Sequence, residues 1–403
     1  QLEPSAEGAR RLDERHLVSP IPCDAKPFRV LEATQADLMK TKPQLPSRTW
    51  ELEERCRTWS TLAPDEAERR VLEGESLLCA GVAGTGKTFL LQGVVERLRA
   101  AGKRVDIISK THVASNRCQG VTADHWIRRH LLSGAASCDC LWIDEISQLD
   151  VGLWLQLSKL TYTGMQFLLS GDFNQFSPIG NSFRGSMIPE NAFETSGLLH
   201  TLAGGNRLEL VECRRSDAEL FGFYSSLITG GSRFELGLAD AVREAKELLT
   251  YDGLAEHNLV ISHQRRIRLN RDLNQQLAPM GAIRPEITGK ASRGNSAQTM
   301  LLWPGIVLIG CLALSKHGIQ NGVLYAVESV TREAVVLVGG VSLSHAHAKT
   351  CLRLSYAQTY ASCQGSEFEG PLRLHDTSHK FFTLKHLFVG LSRAKVASEV
   401  GLV

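Results

Sequence analysis

The chain has 403 residues, 43% of them hydrophobic and 22% charged, which is the composition of a globular protein with two or three domains. The formal net charge of +2 neither requires nor excludes a polyanionic partner, because a basic groove can be local on a nearly neutral protein. Ten cysteines without a CxxC pair argue against a disulfide framework and favour free thiols in a reducing intracellular compartment.

Neither a membrane span nor a zinc site is predicted. The longest uncharged run, residues 294–315, contains polar residues and Pro304-Gly305, so we expect a buried strand there and no membrane partner. His345 and His347 lack a second ligand pair at zinc spacing, and we expect them in a loop. The chain begins with Gln1 and has no charged-then-apolar leader, so we expect a fragment of a longer product.

Residues 1–59 combine Arg/Glu runs with several prolines and have no sustained period, which predicts a loosely attached leader that is helical near its end. From residue 76 the pattern changes to an apolar run LLCAG, a glycine-rich loop, a stretch with helical spacing and the apolar run VDIIS. Two further strands, CLWID and MQFLLSGD, end in acidic residues. This pattern predicts one nucleotide-binding domain over residues 60–205.

Residues 206–403 repeat the alternation with different elements. A helical stretch and the strand NLVIS are followed by the runs IVLIG, YAVESV, AVVLVGG, LRLSYA and HLFVGL. Because these runs are short and are separated by glycine or polar turns, they predict a second, strand-rich domain.

The stretch GVAGTGKT, residues 81–88, has the spacing of a phosphate-binding loop and lies between a predicted strand and a predicted helix. Glycines let backbone N–H groups point at a phosphate, and the helix N-terminus adds a favourable dipole. A lysine there supplies a cation for the terminal phosphates of ATP, and the following hydroxyl is a ligand for Mg²⁺. The predicted nucleotide-binding residues are Gly81, Gly84, Thr85, Gly86, Lys87 and Thr88.

Two acidic residues follow the apolar run CLWI, where a buried strand delivers them to the sheet edge that carries the phosphate loop. Asp144 is predicted to hold Mg²⁺ through water, and Glu145 to act as the general base for the attacking water. The structural alternative is that Asp144 caps a helix that begins at Ile146. Gln175, after the next strand, is predicted to sense the γ-phosphate.

In this order the motifs resemble those of superfamily one helicases, in the RecD-like and PIF-like branch that moves 5′-to-3′ on DNA, over roughly residues 60–398. SGDFNQFSPIG is similar to the third motif, LVECRRSD to the fourth, TYASCQGSEF to the fifth and LFVGLSRAK to the sixth, and GIQNG is similar to an Asn-Gly signature of the second domain. The resemblance implies an α/β fold of two RecA-like P-loop NTPase domains with parallel sheets, and a nucleotide in the cleft between them.

The resemblance also places arginine fingers in the second domain. In the fourth motif the arginine is Arg214, with Arg215 as the alternative, and in the sixth it is Arg393. Because a phosphoryl transition state spreads negative charge that arginine neutralises, fingers from the far domain make hydrolysis depend on closure. Solvated surface charges are the structural alternative. The implied catalytic set is Lys87, Glu145, Gln175, Arg214 and Arg393, and Gly365 of the fifth motif is placed at the nucleotide.

The sequence departs from the family at three places. Residues 361–363, Ala-Ser-Cys, stand where the family has His-Lys-Ser. The adenine-reading glutamine has no counterpart in LAPDEAERR, which offers only Asp65 or Glu66. The insertion in the second domain is short, about residues 326–354.

A single strand of nucleic acid crosses both domains in this family, held by hydroxyls and amides that bind phosphates without reading sequence. Trp126 is either a platform for stacking a base or a core residue that anchors a helix. The basic run HQRRIRLNR, residues 263–271, either widens the positive groove or forms a solvated helix face. The matching positions are Lys110, Thr111, His112, Thr122, His125, Trp126, Thr359 and Gln364.

The leading hypothesis is an ATP-dependent DNA helicase or translocase that binds single-stranded DNA, uses ATP and Mg²⁺, and acts as a monomer. An RNA-directed helicase of the same superfamily is the first alternative, because single-strand grooves discriminate poorly without a contact to the 2′-hydroxyl. A decayed helicase from a mobile element or virus, which binds nucleic acid without turnover, is the second.

Overall fold

The structure, a computed structural model, describes residues 58–190, 192–228, 237–284 and 298–403. Of the predicted leader, residues 1–57 lie outside these ranges. Trp59–Val403 pack as one unit, in which the strands distinguish a first lobe, a second lobe and an inserted sheet.

The first lobe is built on a parallel sheet. Its strands are β1 (Ser60–Thr61), β2 (Leu77–Gly81), β3 (Val105–Ser109), β4 (Val121–Thr122), β5 (Cys140–Asp144), β6 (Gln166–Gly171) and β9 (Asn206–Leu210), in the order β1-β9-β2-β6-β5-β3-β4. A small antiparallel hairpin, β7 (Ser182–Phe183) and β8 (Ser186–Met187), lies outside this sheet. The helices are α1 (Pro64–Leu72), α2 (Lys87–Ala100), α3 (His112–Arg117), α4 (Ala123–Trp126), α5 (Val151–Leu157) and α6 (Gly197–Leu202).

The predicted strands and helix of the first lobe are confirmed. The runs LLCAG, VDIIS and CLWID form β2, β3 and β5 with the expected ends. These strands are mostly apolar, as expected of a parallel sheet with hydrophobic clusters on both faces. Helix α2 buries Leu91, Val94, Val95 and Leu98, the spacing of one helical face.

The second half of the chain forms the second lobe and the inserted sheet. The second lobe contains α7 (Ala218–Ser226), α8 (Leu238–Leu248), β10 (His257–Val260) and α9 (His263–Leu277). The inserted sheet contains β11 (Val307–Gly310), β12 (Leu324–Val330), β13 (Ala334–Leu337), β14 (Val341–Ser344), α10 (His345–Cys351) and β15 (Leu352–Leu354). The second lobe resumes with β16 (Ala357–Thr359), β17 (Leu372–Leu374), α11 (Leu384–Leu391) and β18 (Val400–Leu402).

These strands form two sheets of different kinds. In the second lobe the order β16-β10-β17-β18 is parallel throughout. In the inserted sheet the order β14-β13-β12-β11-β15 is antiparallel and covers its own hydrophobic cluster. Asn270 on α9 bonds the backbone of Ala357 in β16 through both its amide nitrogen and its amide oxygen, at 3.0 and 2.9 Å.

The structure corrects four predictions. The boundary at residue 205 is wrong, because β9 pairs with β1 and β2 and the first sheet therefore extends to Leu210. The insertion is larger than residues 326–354, since its sheet begins at Val307. The run HLFVGL is not a strand but the helix α11, and His345 opens the helix α10 after the N-cap Ser344.

Candidate active site

One cavity of about 440 Å³ collects most of the predicted catalytic and nucleotide-binding side chains. It opens between the phosphate loop of the first lobe and the arginine-bearing segments of the second. Its lining includes six Lys or Arg side chains and three carboxylates, which suits a polyanionic ligand. The lining residues are Ala83, Gly84, Gly86, Lys87, Thr88, Phe89, Gln92, Arg117, Asp144, Glu145, Gln175, Arg214, Arg215, Glu367, Arg393 and Lys395.

The phosphate loop needs glycine for both conformation and space. Gly84 and Gly86 have φ values of 89° and 86°, in the region that L side chains rarely adopt. A Cβ on Gly84 would lie 3.3 Å from the Cβ of Arg215. Lys87 is the first residue of α2, and its Nζ donates to the carbonyl of Gly81 at 2.7 Å. The loop therefore presents its backbone and a lysine to the cavity.

Both lobes hold the loop in place. In the first lobe, the N–H of Ala83 donates to Asp172 Oδ2 at 2.9 Å, and the Thr85 hydroxyl donates to the carbonyl of Val82 at 2.8 Å. From α7 of the second lobe, the Tyr224 hydroxyl donates to the carbonyl of Ala83 at 3.1 Å. The loop thus has a direct hydrogen bond to each lobe.

Asp144 ends β5 at the sheet edge that faces the loop, as predicted. Its carboxylate accepts from Ser170 Oγ at 2.5 Å and from Cys118 Sγ at 3.0 Å. The N-cap alternative is wrong, because the short 3₁₀ helix Ile146–Gln148 receives no side-chain cap. The next residue, Glu145, has a φ of 53°, which directs it differently from the strand before it.

The pKa values of the two carboxyls are shifted in opposite directions. Burial, followed by the charge of Glu145, raises the pKa of Asp144, and Arg117 offsets this only in part. Burial also acts to raise the pKa of Glu145, but the nearby cations Arg117, Lys87 and Arg393 outweigh it and lower that pKa. Glu145 is therefore the carboxyl of the pair that the surrounding charges keep ionised.

Several buried polar atoms at the cavity have no hydrogen-bond partner. Oε2 of Glu145, Oε1 of Gln175 and Nε of Arg117 are all in this condition. Glu145 and Gln175 are 7% and 3% exposed, so bulk water does not satisfy these groups. A bound ligand with its own water is the simplest source of the missing partners.

Arg393, two residues after the end of α11, points into the molecule and not into solvent. It is 3% exposed, and its guanidinium donates to the carbonyl of Ser366 at 3.3 Å and to Ser392 Oγ at 2.9 Å. The solvated-charge alternative is therefore wrong for Arg393. Its guanidinium is close enough to Glu145 to lower the pKa of that residue.

The two candidates of the fourth motif differ in their surroundings. The Arg214 side chain is 73% exposed and pairs with Glu212 at 3.2 Å. The Arg215 side chain is only 16% exposed. It donates to the carbonyl of Ser392 at 3.0 Å and pairs with Glu367 at 2.5 Å. Burial, and then the charge of Arg393, lower the pKa of Arg215. Both arginines line the cavity.

Arg117 is a cavity residue that the sequence analysis missed. It ends α3, and its Nη2 lies 3.1 Å from Glu145 Oε1 and 3.4 Å from Asp144 Oδ2. Its Nη1 lies 3.6 Å from Glu367 Oε1 in the second lobe. No local pattern marks this residue, because its partners are distant in sequence.

The predicted nucleic-acid residues of the first lobe cluster after β3 and β4. Lys110 pairs with Asp150 at 2.8 Å and with Asp124 at 3.3 Å. Thr111 caps α3 by accepting from the N–H of Ala114, and Thr122 caps α4 by accepting from the N–H of His125. His112 is half-buried and His125 is exposed.

Trp126 is a core residue, so its prediction as a stacking platform is wrong. It is 1% exposed and packs in a hydrophobic cluster of the first lobe. Its indole N–H donates to Asp106 Oδ2 at 2.7 Å. The basic run 263–271 forms most of α9, where Arg266 is buried and Arg265, Arg268 and Arg271 are exposed.

The predicted residues of the second lobe lie at the end of β16 and in the segment after it. Thr359 is 6% exposed, and its hydroxyl donates to Ser362 Oγ at 2.9 Å. Gln364 donates across the interface to the carbonyl of Phe176 at 3.2 Å. The carbonyl of Gly365 lies 3.5 Å from Arg117 Nη1, and Gly365 itself is not among the lining residues.

Two of the sequence departures have visible surroundings. Cys363 is fully buried in the core of the second lobe. Glu66, at the position examined for an adenine contact, pairs with Arg69 and Arg70 on α1, each at 2.8 Å, and is not among the cavity residues.

The eight cysteines described are free thiols. None of the helices described combines the length and the apolar character that crossing a bilayer requires. No group of three or more His, Cys, Asp or Glu side chains described here could hold a metal, whereas Mg²⁺ needs only one or two carboxylates besides substrate phosphates.

A phosphate loop, an acidic pair at a parallel sheet edge and arginines from a second lobe together define a P-loop protein with the RecA-like helicase fold. Known proteins with similar sequences or structures include helicases. A family model described as an AAA domain matches residues 65–198. The ATP-dependent DNA helicase PIF3 of Trypanosoma brucei brucei is 31% identical over 155 residues, or 33% of this chain and 19% of that relative.

Solved structures resemble most of the chain. The crystal structure of the Pif1 helicase from Candida albicans has a TM-score of 0.60 at 19% identity and covers 85% of this chain and 94% of that one. The Pif1 helicase from Bacteroides in complex with ADP-AlF3 and single-stranded DNA has a TM-score of 0.60 at 16% identity and covers 85% and 92%.

The structural likeness confirms the predicted two-lobed RecA-like fold, and in sequence the chain is similar to the PIF helicases over about a third of its length. The matches cover 13–19% of the length of three Trypanosoma relatives, so this chain corresponds to a part of each.

Proposed function

We propose that this chain is the motor core of an ATP-dependent DNA helicase or translocase that moves 5′-to-3′ on single-stranded DNA. The observation that carries the proposal is a cavity to which both lobes contribute. The first lobe supplies the phosphate loop, Asp144, Glu145 and Gln175, and the second supplies the arginines. A nucleotide bound there touches both lobes at once.

The cavity residues divide the chemistry of hydrolysis among them. Backbone N–H groups of the loop and Lys87 hold the phosphates of ATP. Glu145 has an unpartnered Oε2, so it is available to accept a proton from the attacking water. Gln175, also with an unpartnered oxygen, orients that water. Arg393, with Arg214 or Arg215, neutralises charge on the transferring phosphoryl group.

The site also suits Mg²⁺. The hydroxyl of Thr88 and the carboxylate of Asp144 both line the cavity and are hard oxygen ligands. When bound, the ion neutralises phosphate charge in the transition state.

Movement follows from the two-lobe construction. Closing the cavity brings the second-lobe arginines to the phosphates, and product release lets the lobes part. Because candidate strand-binding residues lie on both lobes, each cycle of closing and opening shifts their separation along the strand. Lys110, Thr111, His112, Thr122 and His125 are the first-lobe candidates, and Thr359 and Gln364 are those of the second.

The strand is proposed to be DNA because the Pif1 relative above was solved with single-stranded DNA. RNA and a decayed, non-hydrolysing protein are the two alternatives. The convergence of Lys87, Glu145, Gln175 and Arg393 in one cavity opposes decay.

The test is ATP turnover measured alone, with a poly-dT oligonucleotide and with the matched poly-U oligonucleotide. We expect stimulation by DNA that exceeds stimulation by RNA, and no turnover in Lys87→Ala. Equal stimulation by RNA would favour the first alternative. A folded parent protein without turnover under any condition would support the second.

A further inference from the structure

Arg117 contacts both lobes, and the proposed hydrolysis assigns it no role. One nitrogen of its guanidinium, Nη2, faces Glu145 and Asp144 of the first lobe, at 3.1 and 3.4 Å. The other, Nη1, faces the carbonyl of Gly365 at 3.5 Å and Glu367 at 3.6 Å in the second lobe. A single side chain thus contacts the predicted general base and the opposite lobe.

In each lobe, a short stretch of sequence joins a candidate strand-binding residue to Arg117 or to the residues that Arg117 contacts. In the first lobe, Thr111 caps the N-terminus of α3 and Arg117 is its last residue. In the second, Gln364 is followed directly by residues 365–367. The two segments touch, since a Cβ on Gly365 would lie 3.8 Å from Thr111 Oγ1.

The helix α3 has a second contact with the other half of the chain. Asn116 Nδ2 donates to Gln320 Oε1 at 2.6 Å, and a Cβ on Gly322 would lie 3.3 Å from Val113 Cγ2. Gln320 and Gly322 belong to the turn before β12 of the inserted sheet. Helix α3 therefore contacts the inserted sheet through Val113 in its first turn and through Asn116 in its last.

Arginine suits this position better than lysine does. Its planar fork presents donors in two directions, so one guanidinium can bind carboxylates on both lobes together. Glu367 Oε1 is shared with Arg215 at 2.5 Å, which extends the network to the arginine pair of the second lobe. A change in the position of residues 365–367 therefore changes the hydrogen bonding of Glu145.

We propose that Arg117 is a positioning residue that couples binding of single-stranded DNA to the state of the nucleotide site. It does so by pairing with Glu145 and Glu367 in one network of ionic contacts. The inference rests on the proposed function, because it needs both a nucleotide and a strand. Its thermodynamic form is a coupling between two ligands, which must be reciprocal.

The test measures that coupling by binding alone. The affinity for a fluorescein-labelled oligo-dT is measured by anisotropy without nucleotide and with Mg²⁺ and a non-hydrolysable ATP analogue. In the parent protein we expect the two affinities to differ by about 5- to 150-fold, the usual range of such coupling. In Arg117→Ala and in Glu367→Gln we expect the ratio to fall to about one.

Two further variants sharpen the result. Arg117→Lys keeps the charge but not the fork, and we expect an intermediate ratio. Arg104→Ala is the matched control. Arg104 lies at the N-terminal end of β3, away from the cavity, and pairs with Asp139. This variant should keep the parent ratio. The double variant Arg117→Ala with Glu367→Gln should lose no more coupling than either single variant.

The outcomes separate this inference from the proposed function. A parent protein that binds no oligonucleotide or hydrolyses no ATP contradicts the proposed function. If the parent does both but binds the oligonucleotide equally well with and without the ATP analogue, only the role of Arg117 is overturned. The same holds if the difference in affinity persists in both single variants. If Arg117→Ala fails to fold, Glu367→Gln decides, since that carboxylate is half-exposed and is not a predicted ligand of phosphate or metal.

Discussion

At the scale of the residue, the structure keeps an unfavourable conformation at the predicted general base. Glu145 has a φ of 53°, a left-handed conformation that costs a non-glycine residue about 1–3 kcal/mol. Asp144, immediately before it, continues the strand β5. The turn between them lets Asp144 bond Ser170 and Cys118 while both carboxylates stay beside Arg117.

Replacing this carboxylate tests its chemistry without changing its shape. In Glu145→Gln we expect ATP turnover to fall by about 10²- to 10⁴-fold, because the amide cannot accept the proton of the attacking water. The affinity for a fluorescent ATP analogue should change far less. Glu209→Gln, at an exposed position on β9, is the control and should keep parent turnover. Parental turnover in Glu145→Gln would assign the base to another group.

Trp126 gives a second prediction at this scale. Because the indole is 1% exposed and packs in the core, Trp126→Ala should lower the free energy of unfolding by about 3–5 kcal/mol. Trp126→Phe, which keeps most of the packing, should bind single-stranded DNA within about twofold of the parent. Urea unfolding and anisotropy measure the two quantities. A selective loss of DNA affinity in Trp126→Phe would restore the stacking hypothesis.

At the scale of the element, the sequence predicted best where pattern and location agree. The strands β2 and β5 and the helix α2 were predicted closely, because glycines and acidic residues mark their ends and apolar residues fill their interiors. The run HLFVGL has the pattern of a buried strand because its residues in α11 are buried on nearly every side and show no polar face. Continuous burial hides the helical period.

The limits of prediction at the site have the same kind of cause. Lys87 and Asp144 stand in local motifs, whereas Arg117 is recognised only by its contacts with Glu145 and Glu367, 28 and 250 residues further along the chain. The end of the first lobe at β9 was also missed, because a strand that returns to an earlier sheet has no distinct local pattern.

The second-lobe core makes a prediction about pH. Burial lowers the pKa of His375, after β17, and of His386, in α11, to about 4. The unfolded chain titrates histidine near about 6.5. Between these values the unfolded state binds more protons, so stability is present above about pH 6.5 and is lost as the pH falls towards 4.

Urea unfolding at pH 7.5 and pH 5 therefore should give a lower free energy of unfolding at the acidic pH. In His386→Gln we expect a smaller difference between the two pH values, because one of the two proton-linked groups is gone. Other titrating groups affect the parent and the variant alike. An unchanged difference in the variant would show that His386 is not neutral in the folded protein.

At the scale of the whole molecule, the two lobes share more than a cavity. The second lobe donates a hydrogen bond to the phosphate loop through Tyr224 and another to the segment after Gln175 through Gln364. Phe176 also packs edge-on against His386, with ring centroids 4.7 Å apart. Opening the lobes breaks these contacts together with those of Arg117, so the proposed binding of nucleotide and the proposed binding of a strand act on one interface.

The central claim is that second-lobe arginines complete a nucleotide site built on the first lobe. A crystal structure of the chain with ADP, aluminium fluoride and oligo-dT tests it most directly. We expect the guanidinium of Arg393, together with that of Arg214 or Arg215, within hydrogen-bond distance of the fluoride group. A closed complex in which Arg393 keeps its contacts to Ser366 and Ser392, with no second-lobe arginine at the fluoride, would contradict the account.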